Sequence, residues 1–495
     1  MDSIWFDLHP ELTDTDHIDL GGLPPETVIV GAGLTGLAVG VLLARSGQDV
    51  VILEDQRVGA VTTGHTTAKL SLLQGSQFST ILDRHSPEML AAYLEANREG
   101  QAWLRRFMDE KGVEYQVRDA WTYATTEKGL KELGAEHEAC RQVGLAVEMA
   151  EPTELPFEVA GALRLPDQLQ IDPLLVLDAL RAQFVEHGGV LVEGVRVTDA
   201  TSSQPVEITT SRGKLTARQV ILATGAPFLD RGGHFAKLVP QRSYVTMHKP
   251  AGSIPQGMYL SIDAPTRSLR TVETSQGQLL MVGGSGHVTG RTDRESEAVD
   301  SLEAWTKEHF PGAEMTHAWS AQDYEPHDTL PFAGPLPRAG GSIYAATGYN
   351  KWGMTNAVAA ALNLSQQILG GHMAWADVLN SPSLKLGTVA DVAKNSVAVA
   401  GEMTKDWVAA ELKSLPDEAP AEGEGIVGRV DGKPVGMSTV NGVTCKVSGV
   451  CTHLGGVLKW NDEASSWDCP LHGSRFAADG KRLEGPAAED LNQLS

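Results

Sequence analysis

The sequence predicts an α/β chain that ends in a small all-β domain. A strand, a glycine turn, a helix and a second strand follow one another over 27–54, a pattern typical of parallel α/β sheets. β-rich runs at 241–250 and 268–290 indicate an antiparallel sheet with a turn at Gln276-Gly277. From Gly425 onward, short β-rich runs are separated by Asp-Gly, Gly-Lys-Pro and Asn-Gly, which indicates hairpins. A length of 495 residues fits roughly two to four domains.

The charge and cysteine content argue against several classes of partner and location. The chain carries 63 acidic and 40 basic residues, a net charge of −23 that would repel nucleic acid and anionic lipid. The longest weakly polar run, 28–44, contains four glycines and follows acidic residues, so it predicts neither a membrane helix nor a signal peptide. Four cysteines are too few for a disulfide scaffold. We therefore expect a cytoplasmic protein that binds neither nucleic acid nor membranes.

The pattern at 27–54 carries a nucleotide-binding motif. Gly31, Gly33 and Gly36 form G-x-G-x-x-G between the first strand and the helix. Such glycines allow a tight turn, a close approach to a pyrophosphate and close packing of helix on strand, and the helix N-terminus offers unpaired N–H groups. Glu54 closes the second strand and can accept a hydrogen bond from a ribose hydroxyl, with Asp55 as the alternative. The motif predicts dinucleotide binding, against the alternative of a tight turn without a ligand.

Three later segments favour FAD over NAD. Strands at 188–200 and 218–228, the second containing Ala-Thr-Gly, are followed at 328–362 by a proline-rich turn, a strand, a glycine-bearing loop and a helix start. With these segments in this order, residues 25–375 resemble the D-amino-acid oxidase and glycine oxidase superfamily of FAD flavoproteins. The resemblance implies a Rossmann-like FAD domain to which several chain segments return, and an antiparallel-sheet substrate domain.

This resemblance also implies domain boundaries and FAD contacts. The FAD domain would comprise 25–80, 155–235 and 320–375, and the substrate domain 81–154 and 236–319. Beyond the resemblance, a helix-like stretch and a run of Pro, Gly, Ala and acidic residues predict a helix and linker at 376–424, before the all-β domain 425–495. Val197 would contact adenine, the Ala-Thr-Gly segment would lie near the pyrophosphate, and 348–354 would lie under the isoalloxazine ring, before a helix whose dipole faces the flavin. The implied contacts are Gly31, Gly33, Leu34, Thr35, Gly36, Glu54, Asp55, Thr62, Thr63, His65, Thr66, Val197, Ala223, Thr224, Gly225, Gly348, Asn350, Lys351, Trp352, Gly353 and Met354.

One histidine in this set has a second implied role. The stretch "GAVTTGHTTAKLS" at 59–71 resembles a segment of relatives that dehydrogenate dimethylglycine or sarcosine, in which a histidine is joined covalently to FAD. His65 falls on that position, although Lys69 is not part of the relatives' pattern. The alternatives are that His65 lines the flavin ring or packs in a polar loop.

The substrate contacts are less defined. Amine-oxidising relatives often place a lysine after the second glycine loop to bind the substrate carboxylate, whereas this chain has Thr355 there and Lys351 four residues earlier. This departure weakens the case for an N-methyl amino acid. Lys351 and Arg270 are the candidate anion contacts, with a structural or surface role as the alternative for each.

Two Cys-His pairs near the C-terminus indicate a metal centre. They are Cys451-x-His453 and Cys469-x-x-His472. Zinc fingers usually pair cysteine with cysteine, whereas two thiolates and two imidazoles suit a Rieske [2Fe–2S] cluster, in which the cysteines bind one iron and the histidines the other. "CTHLGG" and "CPLHGSRF" resemble the two Rieske boxes, and "EGPA" at 484–487 resembles that family's proline loop.

Departures from the Rieske pattern predict the character of the cluster. Many Rieske domains have a further cysteine in each box, joined in a disulfide, but here those places hold Gly456 and Leu471. The centre should therefore resemble the ferredoxin type. Ser474 keeps one of the two hydroxyls that bond the sulfurs in high-potential centres, whereas Phe476 replaces the tyrosine. We expect the other two cysteines, Cys140 and Cys445, to be plain buried thiols.

The two cofactors together suggest a function. The chain resembles, over nearly its whole length, a bacterial family of glycine-oxidase-like flavoproteins fused to a Rieske domain. FAD accepts two electrons as a hydride and a [2Fe–2S] cluster carries one, so we expect a dehydrogenase that oxidises a small amine or amino-acid-like substrate. Electrons would leave through the cluster to an external one-electron carrier such as a ferredoxin. The alternatives are a reductase that runs electrons the other way and a redox sensor without turnover.

Overall fold

A computed structural model describes residues 3–13, 24–229, 234–292, 294–381 and 414–494. Most of the segment predicted as helix and linker, 376–424, lies outside these residues. The helices of the described ranges are α1 (Ile4–Leu8), α2 (Leu34–Arg45), α3 (Gln77–Arg84), α4 (Pro87–Lys111), α5 (Glu127–Gln142), α6 (Pro173–Glu186), α7 (His234–Lys237), α8 (Ser296–His309), α9 (Gly353–Leu369) and α10 (Ala374–Asn380). Of the helices in the part of the chain described, none has the length and apolar character needed to cross a membrane.

The first layer is a six-stranded sheet that holds the glycine motif. Its order is β17-β18-β11-β1-β2-β7, with every neighbouring pair parallel except the antiparallel edge pair β17–β18. These strands are β1 (Thr27–Val30), β2 (Val50–Leu53), β7 (Val190–Val192), β11 (Gln219–Leu222), β17 (Phe332–Pro335) and β18 (Ile343–Thr347). Helix α2 packs against both α6 and α9. A methyl carbon built at Gly36 would lie 1.9 Å from the Gly31 carbonyl oxygen, so only glycine lets α2 begin this close to β1.

The second layer is a nine-stranded sheet. Eight strands run in the order β16-β12-β15-β14-β13-β4-β6-β3, with β5 paired to β6. They are β3 (Lys69–Leu70), β4 (Tyr115–Ala124), β5 (Glu148–Met149), β6 (Gly161–Ile171), β12 (Leu238–Lys249), β13 (Met258–Ser261), β14 (Arg267–Thr274), β15 (Gly277–Val288) and β16 (Glu314–Pro326). The predicted antiparallel strands are present, but β4 and β13 pair in parallel.

Two details of this sheet differ from the expectations from sequence. The turn between β14 and β15 lies at 275–276, one residue before the predicted position, because Gly277 already pairs with Thr274. Strand β6 belongs to the nine-stranded sheet, so the segment 155–235 contributes to both layers. The domain boundaries themselves stay a prediction.

The remaining sheets are antiparallel. A three-stranded sheet is formed by β8 (Val197–Ala200), β9 (Val206–Thr210) and β10 (Gly213–Ala217). The C-terminal domain has one four-stranded sheet of β19 (Gly425–Val430), β20 (Lys433–Val440), β21 (Val443–Ser448) and β26 (Gln493–Leu494), and a second of β22 (Lys459–Asn461), β23 (Ser466–Asp468), β24 (Arg475–Ala477) and β25 (Arg482–Glu484). The hairpins predicted after Gly425 are therefore present.

The N-terminal helix α1 packs on the segment that contains His65. Ile4, Trp5 and Phe6 are buried. The Trp5 indole donates a hydrogen bond to the Thr66 carbonyl over 2.8 Å, and the Phe6 ring lies 5.5 Å from the His65 ring. The first residues of the chain thus support the loop that follows β2.

Candidate functional site

A cavity of about 700 Å³ lies between the two large sheets. Four parallel strands, β1, β2, β11 and β18, end at its wall, and β12, β14 and β15 of the nine-stranded sheet cover it. Crevices at the carboxyl ends of parallel strands are where α/β proteins bind ligands, and this volume is typical of a small-molecule or cofactor site. The cavity is therefore the candidate active site.

Almost all the predicted FAD contacts meet at this cavity. Every residue of the set given above lines it except Gly36, which packs against the backbone of Gly31 behind the wall. Segments separated by more than three hundred residues, from Gly31 to Met354, thus converge as the resemblance implied. Contact of each with FAD stays a prediction.

The N-terminus of α2 points into the cavity beside two threonines. The Leu34 amide donates to the Thr63 hydroxyl over 3.2 Å, and the Thr35 hydroxyl lies 2.8 Å from the Tyr349 hydroxyl. Thr62 donates to the Gln322 carbonyl over 2.7 Å. The threonine-rich loop thus contacts the start of α2 and β16, whereas Thr35 of α2 contacts the loop at 348–354.

The two carboxylates after β2 differ in their partners. Glu54 is buried, and its two oxygens accept from the amides of Ala32 and Gln56 over 2.8 and 2.9 Å. Burial raises the pKa of Glu54 to about 7. Asp55 is instead paired with Arg196 over 3.0 Å and with Arg482 of the C-terminal domain. Glu54 thus faces the cavity with its oxygens held in place, whereas Asp55 joins two parts of the chain.

The loop at 348–354 ends at the N-terminus of α9, as the resemblance implied. Asn350 and Lys351 both have positive φ, and their amides donate to the Tyr324 carbonyl over 3.1 Å and to the Asp323 carboxylate over 2.5 Å. Burial lowers the pKa of Lys351 and raises the pKa of Asp323 to about 6. Thr355, at the position where relatives carry lysine, accepts a hydrogen bond from Gln74 over 3.2 Å.

His65 lines the cavity with one ring nitrogen occupied. Its Nδ1 lies 2.7 Å from the Val61 carbonyl oxygen, and its own carbonyl accepts from the Trp319 indole over 2.9 Å. A hydrogen bond from Nδ1 to a carbonyl fixes the tautomer with the lone pair on Nε2. This hydrogen bond orients the ring at the wall of the cavity.

Of the two candidate anion contacts, Lys351 lines the cavity and Arg270 is engaged elsewhere. The Arg270 guanidinium is buried and donates to the carbonyls of Thr67, Ala68, Ile171 and Thr271 over 2.7 to 3.2 Å. These bonds join β3, β6 and β14. Arg270 thus has a structural role in the sheet, and its part in substrate binding stays a prediction.

Lys69 is a cavity residue that the motif search did not select. Its Nζ donates to the Tyr259 carbonyl over 2.7 Å and to the Ser268 hydroxyl over 2.6 Å. Burial, with the neighbouring charge of Arg270, lowers the pKa of Lys69 to about 7. The sequence offered one indication of this residue, since Lys69 lies two residues after the threonine-rich stretch and is absent from the corresponding segment of the relatives. A buried lysine that titrates near neutrality is a candidate acid–base group.

The four predicted cluster ligands lie on two loops of matching geometry. In the first the Cys451 amide donates to the Gly456 carbonyl, and in the second the Cys469 amide donates to the Ser474 carbonyl, each over 2.8 Å. The rings of His453 and His472 lie 5.1 Å apart and nearly perpendicular. A hydrogen bond with the Cys469 thiol, and then the amides after Cys451 and the Ser474 hydroxyl, lower the pKa of Cys451. The two thiols therefore form one pair and the two imidazoles another.

The positions of the missing disulfide face each other. A methyl carbon built at Gly456 would lie 2.7 Å from Leu471 Cδ1 and 3.1 Å from Cys469 Sγ. Phe476 is fully buried in the core that contains Cys451 and Cys469. Of the other cysteines, Cys140 is buried as expected, whereas Cys445 on β21 is half-buried.

The comparisons with known proteins agree with this arrangement. Residues 26–367 match the family model "FAD dependent oxidoreductase", and residues 406–495 match the Rieske [2Fe-2S] domain. The chain belongs to the FAD-dependent oxidoreductase family. It carries a Rieske domain at its C-terminus, as the motifs predicted, and it is an oxidoreductase.

Individual relatives extend the comparison. The chain is 31% identical over 97% of its length, and 96% of the relative's, to the Rieske 2Fe-2S iron-sulfur protein YhfW of Bacillus subtilis. Over 66 residues, 13% of this chain and 38% of the relative, it is 41% identical to the cytochrome b6-f complex iron-sulfur subunit of Synechococcus sp. strain JA-3-3Ab. Glycine oxidase from Geobacillus kaustophilus superposes with a TM-score of 0.62 at 22% identity, covering 73% of this chain and 99% of that one. The last likeness shows the fold alone.

The residues of this family member fit both cofactors. The helix N-terminus at the glycine turn, the buried Glu54 carboxylate and the volume of the cavity suit a dinucleotide. Two buried cysteines and two histidines suit a [2Fe–2S] cluster. Among the described residues, no group of three or more His, Cys, Asp or Glu side chains is placed to hold a single metal ion.

The Rieske domain forms part of the flavin cavity. Residues 482–488, which include the predicted proline loop, line the same cavity as the glycine turn. A buried ion pair joins Arg242 of β12 to Glu484 over 2.9 Å, and Arg475 contacts the same carboxylate over 3.0 Å. The Gln56 amide nitrogen donates to the Leu483 carbonyl over 2.9 Å. Sequence motifs gave no sign of this shared wall, because it depends on how the domains dock.

Proposed function

We propose that this chain is a dehydrogenase that oxidises a small amine or amino-acid-like substrate at FAD and passes electrons through the Rieske cluster to an external one-electron acceptor such as a ferredoxin. The observation that carries the proposal is the shared wall, since 482–488 belong to the Rieske domain and line the flavin cavity. A domain used only for stability or sensing has no need to lie against the cavity where substrate and flavin meet. We place the protein in the cytoplasm, in keeping with its unpaired cysteines.

The cavity supplies groups for amine oxidation. FAD, when bound, accepts a hydride, and the cluster carries single electrons. An ammonium substrate must first lose a proton, and Lys69 with a pKa of about 7 can accept it. Lys351 and Asp323 lie at the loop under the expected ring position, where their charges orient a polar substrate.

Anaerobic reduction tests the proposal. Wild-type holoprotein and His453→Ala are mixed with glycine, sarcosine, L-proline and simple primary amines, with Cys445→Ser as the control for a cysteine outside the cluster. We expect flavin bleaching in all three proteins with the active substrate, but the reduced-Rieske paramagnetic signal and fast reduction of a one-electron dye only where the cluster is intact. Dye reduction by His453→Ala at the wild-type rate would overturn the proposal and favour a redox sensor. Reduction of the cluster and flavin by ferredoxin, with no substrate bleaching, would favour the reverse direction.

We also propose that His65 is joined covalently to FAD. His65 falls on the position that is joined to FAD in the relatives that the stretch at 59–71 resembles, and it lines the cavity. Protein precipitated with acid should stay yellow and fluorescent, and His65→Ala should release intact FAD into the supernatant. Release of FAD from the wild-type protein would leave His65 with a non-covalent ring contact.

A further inference from the structure

The Rieske domain contacts the flavin half of the chain most closely beside a cluster ligand. Gly473 follows His472, and a methyl carbon built on it would lie 2.5 Å from Pro240 Cβ. On the opposite side, a methyl carbon built on Gly290 would lie 3.0 Å from the Pro470 nitrogen. Both glycines have positive φ, +77° and +68°. A glycine on each side thus lets the two backbones touch at the loop that carries His472.

A hydrogen-bonded pair of side chains spans the same contact. Gln322 is buried, and its Nε2 donates to the Gly473 carbonyl over 2.9 Å and to the Tyr324 hydroxyl over 3.1 Å. Its Oε1 accepts from the Thr289 hydroxyl over 2.7 Å, which fixes the orientation of the amide. Tyr324 in turn donates to the Gly485 carbonyl over 3.3 Å. Both side chains of this pair thus donate a hydrogen bond to a backbone carbonyl of the Rieske domain.

The other end of this pair lies at the flavin cavity. Tyr324 lines the cavity, and its carbonyl accepts from the Asn350 amide, in the loop expected under the flavin ring. Gly485 precedes Pro486 and Ala487, and the Ala487 amide donates to the Ser474 hydroxyl over 2.9 Å. Ser474 also bonds the Cys451 thiol. Two short chains of contacts, through Gly473 and through the proline loop, thus run from Tyr324 to the cluster ligands.

We propose that Gln322 and Tyr324 are the positioning residues that hold the cluster domain in one fixed, electron-transferring pose against the flavin cavity. The inference rests on the proposed function, and it specifies that the cluster does not swing between partners. Ion pairs between the two halves of the chain support a fixed pose. One of them, Arg242–Glu484, is buried. Two others also join the flavin half to the Rieske domain, Arg196–Asp490 and Asp55–Arg482. Asp462 further accepts from the amides of Glu295 and Ser296 at the start of α8.

Light-driven reduction tests the pose without any substrate. Bound FAD is photoreduced in the holoprotein with EDTA as the electron donor, and bleaching of the cluster is followed after bleaching of the flavin at several protein concentrations. Three variants are compared with the wild type: Gly290→Val, which pushes on Pro470; Gln322→Leu, which removes the bridge without backbone strain; and Gly112→Val as a control. Gly112 has φ of +67° and open space around it, so it carries the same strain away from the contact.

We expect a fast, concentration-independent phase of cluster bleaching in the wild type and Gly112→Val, and its loss in Gly290→Val and Gln322→Leu. Amide hydrogen exchange at 470–474 and 484–487 should be slow in the wild type and Gly112→Val, and faster in Gly290→Val and Gln322→Leu. Two outcomes would overturn the proposal. The first is a fast phase of cluster bleaching in both interface variants although fast amide exchange shows that the contact is open. The second is fast amide exchange at 470–474 and 484–487 in the wild type. If instead no substrate bleaches the flavin while this pattern holds, the proposed substrate class fails and the pose stands.

Discussion

The flavin cavity and the cluster site are built in opposite ways. The four predicted cluster ligands lie within 451–472, on two loops that are each closed by a hydrogen bond from the cysteine amide to the carbonyl five residues later. The cavity is assembled from segments between Val30 and Ala488, and residues of both large sheets and of the Rieske domain line it. A local site depends on its own loops, whereas an assembled site depends on docking. We therefore expect substitutions at the domain interface to disturb the cavity more than substitutions of the predicted cluster ligands do.

The largest expected effect separates the two regions. Cys469→Ser should lose the cluster completely, because each iron requires both of its protein ligands, yet should retain FAD, because no cluster ligand lines the cavity. Iron and flavin contents of the purified variant measure this directly, with Cys140→Ser as the control. Loss of FAD together with iron would mean that the two regions fold as one unit.

A smaller effect should follow from breaking the interface. Glu484→Gln leaves the buried guanidinium groups of Arg242 and Arg475 without their shared carboxylate. Removing one partner of a buried ion pair costs about 3–5 kcal/mol of stability. Denaturant unfolding of the holoprotein should show this loss and weaker FAD retention, whereas Glu207→Gln, in the exposed pair with Lys214, should change little. Equal stability of the two variants would contradict a docked interface.

The cavity itself should show a pH signature. Because the pKa of Lys69 falls from 10.5 to about 7 on folding, the unfolded chain binds one more proton between those values, and the free energy of unfolding rises with pH across this window. Lys69→Met should remove that rise, at most about 1.4 kcal/mol per pH unit. Unfolding at pH 7.5 and pH 9.5 measures it, with the exposed Lys128→Met as the control. An unchanged slope in Lys69→Met would show that Lys69 is charged in the folded protein.

The smallest expected effect concerns the cluster alone. Phe476→Tyr adds a hydroxyl in the core beside both cysteines, and a hydrogen bond to a cluster sulfur stabilises the more negative reduced state. One hydrogen bond of about 1 kcal/mol corresponds to a rise of roughly 40 mV for one electron. A redox titration against the wild type measures the shift. The flavin potential serves as the internal reference, and an unmoved cluster potential would mean that the ring points away from the sulfurs.

The comparison also explains what the sequence could predict. The Rieske domain could be predicted from two short motifs, "CTHLGG" and "CPLHGSRF", because one short region of the chain carries both. The glycine turn and the helix at Gly353 followed from patterns within single βα units. These features depend on contacts between near neighbours in the chain.

Other features could not be predicted because they depend on tertiary contacts. Lys69 is isolated in sequence and gains its low pKa only when β13 and β14 bury it. Arg270 looked like an anion contact, but four carbonyls surround its guanidinium in the folded sheet. Gln322 and Tyr324 carry no motif, and their partners lie more than 150 residues away. The parallel pairing of β4 with β13 likewise joins distant segments.

The close contact between Gly290 and Pro470 bears on how such a protein can evolve. A side chain larger than glycine at position 290 meets the backbone of the partner domain, so neither surface can drift unless the other changes with it. The buried Arg242–Glu484 pair imposes the same joint constraint on charge. A Rieske domain transplanted from another protein would therefore need a matched surface on the flavin half.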